Sequence, residues 1–514
     1  MVYNSSVLSY RICFRIWRKC LYPGALTTGL RYFFQVESAF GIERRNDNGM
    51  LGKEGGLFYM FEKLFKLEEN GTNVKTEIIA GITTFITMVY ILAVNPSILS
   101  ASGMDAGAIV SATAVASAIG CFCMAAFSNK PFALSAGLGL NAYFAYTVCI
   151  GMGYPWQVAL TAVFVEGIIF ILLSLTNVRE AIFNCIPATL KTAVSVGIGF
   201  FITFIGVQNA GLIVDGSTLV TLFGFNASLS NGTFTTAGIT VILALIGVII
   251  TAAMLVKGVK GYMLYGILAT WLLGIVAQLL GLYVPNPELG YYSVIPTQIF
   301  SAPASMAPTF MQLDFSFIAT HTLDFIVVVF AFLFVDIFDT LGTVIGCATK
   351  ADMLDENGQL EGIKGVLLAD AVATTAGAVL GTSTVTTFVE SSSGISEGGR
   401  TGLTAVTTGI LFLLALFLSP LFLTIPSFAT SPALIVVGFL MMQQVTKIDW
   451  ENLTDAIPAF CCITMMGFAY SISDGIAFGI ISYTILKVLT GKYKDVNVLL
   501  YVLSILFILK YFLI

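Results

Sequence analysis

Residues 381–399 read GTSTVTTFVESSSGISEGG. The stretch begins with β-branched residues that suit extended backbone, and then passes through Ser and Gly into what reads as a short helix. It interrupts a chain built of long apolar runs. A second stretch, NKPFALSAGLGLNAYFAYTV (129–148), has the same character: a Pro-bearing extended start, small residues, then a short helix. Backbone polar groups of such stretches cannot face lipid, so they must line a cavity or pack inside protein. Interrupted segments at corresponding places in two halves of a chain mark a binding site near the bilayer midplane.

The two stretches do fall at corresponding places. Apolar segments long enough to span or half-span a bilayer are read at 76–99, 106–127, 131–150, 155–175, 187–208, 235–256, 262–283, 321–348, 364–381, 382–397, 400–420, 430–446, 454–471 and 474–490. They are numbered here as segments 1–14. Fourteen divide into seven and seven, with the second half inverted, and segments 3 and 10 match. The expected fold is an all-α polytopic membrane protein, a 7+7 inverted repeat with segments 3 and 10 each broken into a short strand and a half-helix. The run NVLLYVLSILFILKYF (497–512) is short and contains Lys510, so it reads as an interfacial or weakly spanning tail.

Charge placement tests that count. Lys63, Lys66 and Lys75 precede segment 1. Lys130, Arg179, Lys191, Lys257, Lys260, Lys350, Lys364, Arg400, Lys447, Lys487, Lys492 and Lys494 then all fall on the same side of the membrane, whereas 209–234 and 284–316 contain no Lys or Arg. The positive-inside rule therefore puts both termini in the cytoplasm. Only 10% of the 514 residues are charged and 57% are hydrophobic, against roughly 25% charged in soluble proteins, so lipid is the natural solvent. A formal charge of −5 without a basic patch excludes a nucleic-acid partner. Cys121, Cys123, Cys461 and Cys462 lie in apolar runs and read as small buried hydrophobes. The single histidine, His321, rules out a multi-histidine metal site and reads as interfacial. No metal and no cofactor is expected.

Against this background, acids inside the spans stand out. Asp336 and Asp339 sit in FIVVVFAFLFVDIFDTLGTVIG (325–346), and Glu390 sits in segment 10. A carboxylate at the bilayer centre costs about 2.5–3.5 kcal/mol on insertion scales, so such groups face a bundle interior and mark a route for substrate or protons. Asp336 and Asp339, three apart, share a helical face, and neighbouring carboxylates in a low dielectric resist simultaneous ionisation. That property suits proton coupling by Asp336, Asp339 and Glu390. Glu390 should cap the short helix that follows it. Asn141, in segment 3, offers both donor and acceptor. Together these groups suit a planar neutral heterocycle, with Phe388, Tyr143 and Phe144 able to stack on it or simply to pack. Glu166 reads as a helix–helix hydrogen bond, Asp324 and Asp370 as acids near segment ends with access to water, and Asn95-Pro96 as the outer end of segment 1.

Several apparent motifs carry no chemistry. Gly137-Leu-Gly139 mimics a dinucleotide fingerprint without a βαβ setting. Asp355-Glu-Asn357-Gly358 resembles part of a calcium loop but lacks the rest and reads as a cytoplasmic turn, and no Walker-type phosphate loop exists. Residues 1–59 differ from the rest. Arg11, Arg15, Arg18 and Lys19 precede the first acid, Glu37, as in a transit peptide. The alternative preferred here is that Lys53-Glu54-Gly55-Gly56 reflects purine-rich codons of a ribosome-binding sequence, that Met60 is the start, and that 1–59 is a leader or disordered extension.

The stretches NKPFALSAGLGLNAYFAYTV, FVDIFDTLGTVIGCATKADMLDENGQLEG, LADAVATTAGAVLGTSTVTTFVESS and GGRTGLTAVTTGILFLLALFLSPL resemble the azaguanine-type (hypoxanthine/guanine/adenine) purine permeases of the nucleobase–cation symporter group. NGTNVKTEIIAGITTFITMVYILAVNP (70–96) resembles that family's N-terminus. The resemblance implies a core domain (74–175 and 321–420) packed against a gate domain (176–285 and 421–495), followed by a hydrophobic tail (496–514). It also implies proton-coupled purine uptake by alternating access across a bacterial inner membrane. Carried over, the substrate-binding positions are Asn141, Asp336 and Glu390, with Gly139 and Asp339 in support. The implied partners are a purine nucleobase, a proton and the bilayer, with a homodimer left open. A uracil/xanthine carrier of the same fold is the alternative. An inorganic-anion carrier fits three acids poorly. An enzyme would need a nucleophile–histidine pair or a metal cluster that the sequence lacks.

Overall fold

The structure is a computed structural model that describes residues 55–175, 187–216, 219–354 and 360–513. The Arg-rich start, Arg179 and the turn at 355–358 lie outside the described residues.

All fourteen expected segments are present. Eleven helices among the described residues are long and apolar enough to cross a membrane, and Leu138–Gly151, Leu453–Phe468 and Val498–Leu509 are shorter apolar helices. Segment 1 is two helices, Val74–Met88 and Ile91–Leu99, meeting at Val89-Tyr90. Segments 2 and 4 are Ala106–Ser128 and Trp156–Leu175. Segments 5, 6 and 7 are Ala188–Asn209, Ile239–Val256 and Tyr262–Leu279. Segment 8, Thr322–Lys350, carries Asp336 and Asp339, and segment 9 is Ile363–Leu380. Segments 11–14 are Gly402–Ala415, Ser427–Met442, Leu453–Phe468 and Ile472–Leu489. Capping side chains set several starts: Asp105 accepts from the Ala108 N–H, and Ser471 accepts from the Asp474 N–H.

Segments 3 and 10 break as expected, and they meet. Segment 3 runs through β1 (Leu134–Ala136), a short helix Leu138–Ala142 and a π-helical stretch Tyr143–Gly151. In the loop between segments 5 and 6, β2 (Ile213–Gly216) and β3 (Leu219–Leu222) pair as a peripheral antiparallel ribbon. Segment 10 runs through β4 (Val385–Thr387) into the helix Ser391–Ser396. β1 and β4 pair antiparallel, Leu134 opposite Thr387 and Ala136 opposite Val385. Both strands are wholly buried. An unpaired backbone group in hydrocarbon costs several kcal/mol, and each broken segment supplies the partners for the other. Gly137 permits the crossing, because a Cβ there would lie 2.8 Å from the Thr386 methyl.

Around this two-stranded junction, segment 9 packs on segments 2 and 4, segment 11 on 1 and 2, and segment 8 on 4. A second group forms about segment 5, which packs on 12, 13 and 14, with 6, 7 and 12 adjoining one another. Buried polar pins hold the first group together. Ser117 and Ser135 hydroxyls are 2.7 Å apart. Glu77, fully buried in segment 1, accepts from the backbone N–H groups of Arg400 (2.8 Å) and Thr404 (3.1 Å) and from the Thr404 hydroxyl (2.6 Å), capping segment 11 from a distance. Asn95 does not end segment 1. The helix continues through Pro96 to Leu99, and the buried Asn95 amide donates to Thr113 (2.7 Å) and Thr382 (3.0 Å), tying segments 1, 2 and 10.

The tail is the helix Val498–Leu513. It lies on segment 14, where Ser504 donates to Thr484 at 2.8 Å. Sixteen residues rise about 24 Å, less than the ~30 Å hydrocarbon core. His321 stands at the joint between the helix Ser316–Thr320 and segment 8, exposed and stacked on Phe317 at 4.5 Å.

Candidate functional site

The paired strands carry their helices to the middle of the molecule. Leu138–Ala142, which holds Asn141, packs on segments 1, 5 and 8. Asn141 is fully buried, and neither its amide nitrogen nor its oxygen has a hydrogen-bond partner among the described residues. Buried polar atoms are nearly always paired, and this amide departs from that rule. Gly139, close before it, makes the near approach to segment 5 possible: a Cβ there would sit 2.8 Å from an Ile198 methyl.

On the facing side, Glu390 follows β4 and is half-buried. It stands at the N-cap position of Ser391–Ser396, but its side chain makes no capping hydrogen bond. The expected cap is therefore replaced by another contact: the Tyr90 hydroxyl, at the joint of segment 1, donates to Glu390 Oε1 at 2.8 Å. Tyr262, at the start of segment 7, also lies within electrostatic reach of Glu390. Asp339 is half-buried on segment 8, near enough to interact electrostatically with both Asp336 and Glu390. The structure thus gathers Asp336, Asp339 and Glu390, with Asp339 interacting with each of the other two.

Asp336 is fully buried, and no N–H or hydroxyl of the described residues reaches either of its oxygens. The Glu166 carboxyl of segment 4 lies within electrostatic reach of it, where segments 4 and 8 pack together. Asp370 corrects its expected setting near water, being fully buried on segment 9. It accepts from Thr340 Oγ1 at 2.7 Å and from Thr387 Oγ1 at 3.4 Å. Thr340 in turn meets Thr386 of β4 at 2.8 Å. Asp324 lies apart and accepts from Tyr154 at 2.8 Å. Of the aromatic candidates, Phe388 is buried beside Glu390 in sequence, whereas the Tyr143 ring is engaged edge-on with Phe332 at 4.8 Å.

Sequence reasoning missed Tyr90 and Tyr262 because each sits in an apolar run where tyrosine reads as a hydrophobe. A polar tip at mid-span, in TMVYILAVNP, was the available signal for Tyr90. Among the described residues, no group of three or more His, Cys, Asp or Glu side chains has the arrangement of a metal site.

Comparison with known proteins agrees with this architecture. The sequence matches the profile of the Permease family over residues 75–478. The guanine/hypoxanthine permease PbuG of Bacillus subtilis is 44% identical over 457 residues, covering 87% of this chain and 98% of PbuG. The adenine permease AdeP of Escherichia coli is 40% identical over 451 residues, covering 88% and 96%. A protein of Methanocaldococcus jannaschii with a provisional permease name is 47% identical over 451 residues, covering 88% and 98%. Among solved structures, the transmembrane domain of the cyanobacterial bicarbonate transporter BicA superposes with a TM-score of 0.57 at 16% identity, covering 77% of this chain and 96% of that one. SLC26A9 gives 0.58 at 12% identity, covering 88% and 72%. Those two likenesses establish the 7+7 fold. The chain belongs to the permease family, and it is a multi-pass membrane transporter rather than an enzyme.

Proposed function

We propose that this transporter takes up purine nucleobases (hypoxanthine, guanine or adenine) with a proton, by alternating access. The observation that carries the reading is the orphaned Asn141 amide, buried in one broken segment while the other presents Glu390. An amide supplies both a donor and an acceptor, and a carboxylate accepts from ring N–H groups. A flat base with ring N–H donors and carbonyl or nitrogen acceptors answers both. The names of PbuG and AdeP support the purine class.

In this reading Asn141, Asp336 and Glu390 bind the base, Gly139 supports the site, and Phe388 and Tyr143 border the ring. Asp339, with Asp336 and Glu390, serves proton coupling. Segments 1–4 and 8–11 form the core and the remainder of the fourteen the gate, a division supported by the two packing groups around β1–β4 and around segment 5. The protein sits in a bacterial inner membrane with both termini cytoplasmic, the side that collects the Lys and Arg loops.

The test is uptake of radiolabelled purine by cells lacking their own permeases, with unlabelled competitors and a protonophore. Hypoxanthine, guanine or adenine should compete, and the protonophore should abolish accumulation. Competition by uracil or xanthine alone would replace the purine assignment with the alternative cargo.

A further inference from the structure

Three fully buried acids, Glu166 on segment 4, Asp336 on segment 8 and Asp370 on segment 9, meet behind β4. Their surroundings differ in a way that divides their roles. Asp370 has hydroxyl donors, Thr340 at 2.7 Å and Thr387 at 3.4 Å, so a negative charge there would be met by protein hydroxyls. Asp336 has none: no N–H or hydroxyl of the described residues donates to either oxygen, and the group near it across the packed segments 4 and 8 is another carboxyl, Glu166. Two carboxylates cannot hydrogen-bond to one another unless one of them carries a proton, and buried like charges resist ionising together. The other titratable groups facing Asp336 are Asp370 and, on its own helix, Asp339. Both are acids, and their charge adds to the cost of a second charge on the pair.

We infer that Glu166 and Asp336 together hold the coupled proton, as a carboxyl pair bridging segments 4 and 8. Glu166 is then part of the coupling device, separate from the base-binding Asn141 and Glu390. The inference rests on the purine-carrier reading. In the closed pair, one O–H bond is formed and shared across an O–H···O contact, leaving a single negative charge. Release is a proton transfer to water, which breaks that O–H bond and leaves two carboxylates and a hydronium ion. Two bare carboxylates survive only if water enters between them, so release waits until the core opens to one side. No oxidant, metal or second reactant is required. The same water requirement ties the proton's departure to the movement that frees the substrate.

The experiment uses the full chain in proteoliposomes and follows both labelled hypoxanthine and purine-driven proton entry. Glu166→Gln keeps a hydrogen-bonding group of the same size beside Asp336 and removes the titratable carboxyl. Pair coupling predicts that accumulation driven by a pH gradient falls about tenfold or more beyond any fall in hypoxanthine exchange, the equivalent of about 1.4 kcal/mol, and that proton entry is lost. Glu166→Asp should restore part of both. Difference infrared spectra on adding hypoxanthine give a second readout: the protonated-carboxyl band of the wild type should vanish in Glu166→Gln. Wild-type accumulation and proton entry in Glu166→Gln, or an unchanged carboxyl band, would overturn the inference while leaving the carrier reading intact. A wild-type protein that carries no purine would overturn the carrier reading, and the pair's role with it.

Discussion

Glu390 and Asp336 are acids placed where acids are expensive, and their surroundings differ. Glu390 has one phenolic donor, from Tyr90 at 2.8 Å, which leaves acceptor capacity for a ligand. Hydrogen bonds to charged groups contribute about 1.5–3 kcal/mol, so Tyr90→Phe should weaken purine binding by roughly tenfold to a hundredfold while preserving the ring's packing. Titration calorimetry with hypoxanthine would check this, and unchanged affinity would remove Tyr90 from the site. Glu390→Gln and Asp336→Asn should each abolish uptake with the protein still present in the membrane, as judged by immunoblot of membrane fractions. Asp339→Asn should change the pH dependence of uptake, because Asp339 interacts electrostatically with both other acids. An unaltered pH profile would exclude it from coupling.

At the level of elements, the decisive features are legible in the residues themselves. Pro131, the β-branched run 384–387 and the Gly and Ser residues after each strand announce two broken segments. Spacing cannot show which residues face each other across such breaks, and so the β1–β4 register and the Tyr90–Glu390 contact are not legible. Nor is the burial of Asp370, because position along a helix says nothing about which neighbours close over it. Asn95-Pro96 misleads for a similar reason. Proline near a helix end reads as a stop, but here the preceding asparagine is fixed by two threonines and the helix carries on. Glu77 looks unremarkable as an acid near the start of segment 1, yet it caps segment 11. Removing it strands several buried donors, each costing about 1–3 kcal/mol. Glu77→Ala should therefore lower the thermal unfolding midpoint in detergent, measured by intrinsic fluorescence. A midpoint equal to wild type would show that the cap is dispensable.

For the molecule as a whole, alternating access requires one packing group to move against the other without large contacts to break. A charged contact joins them at the side rich in basic loops: Lys260, after segment 6, pairs with Glu397, at the end of segment 10. Both side chains are partly exposed, and such pairs contribute about 0–1 kcal/mol. Lys260→Gln should accordingly alter the initial uptake rate by no more than about fivefold. A complete loss of uptake would mean that this contact organises the transport cycle.

The central claim is that the base lies where the two broken segments meet. A cryo-EM map of the protein with hypoxanthine tests it most directly. The account predicts a flat density between the Asn141 amide and the Glu390 carboxylate, beside the β1–β4 pair. Well-resolved, unoccupied space there, with the base bound elsewhere, would contradict it.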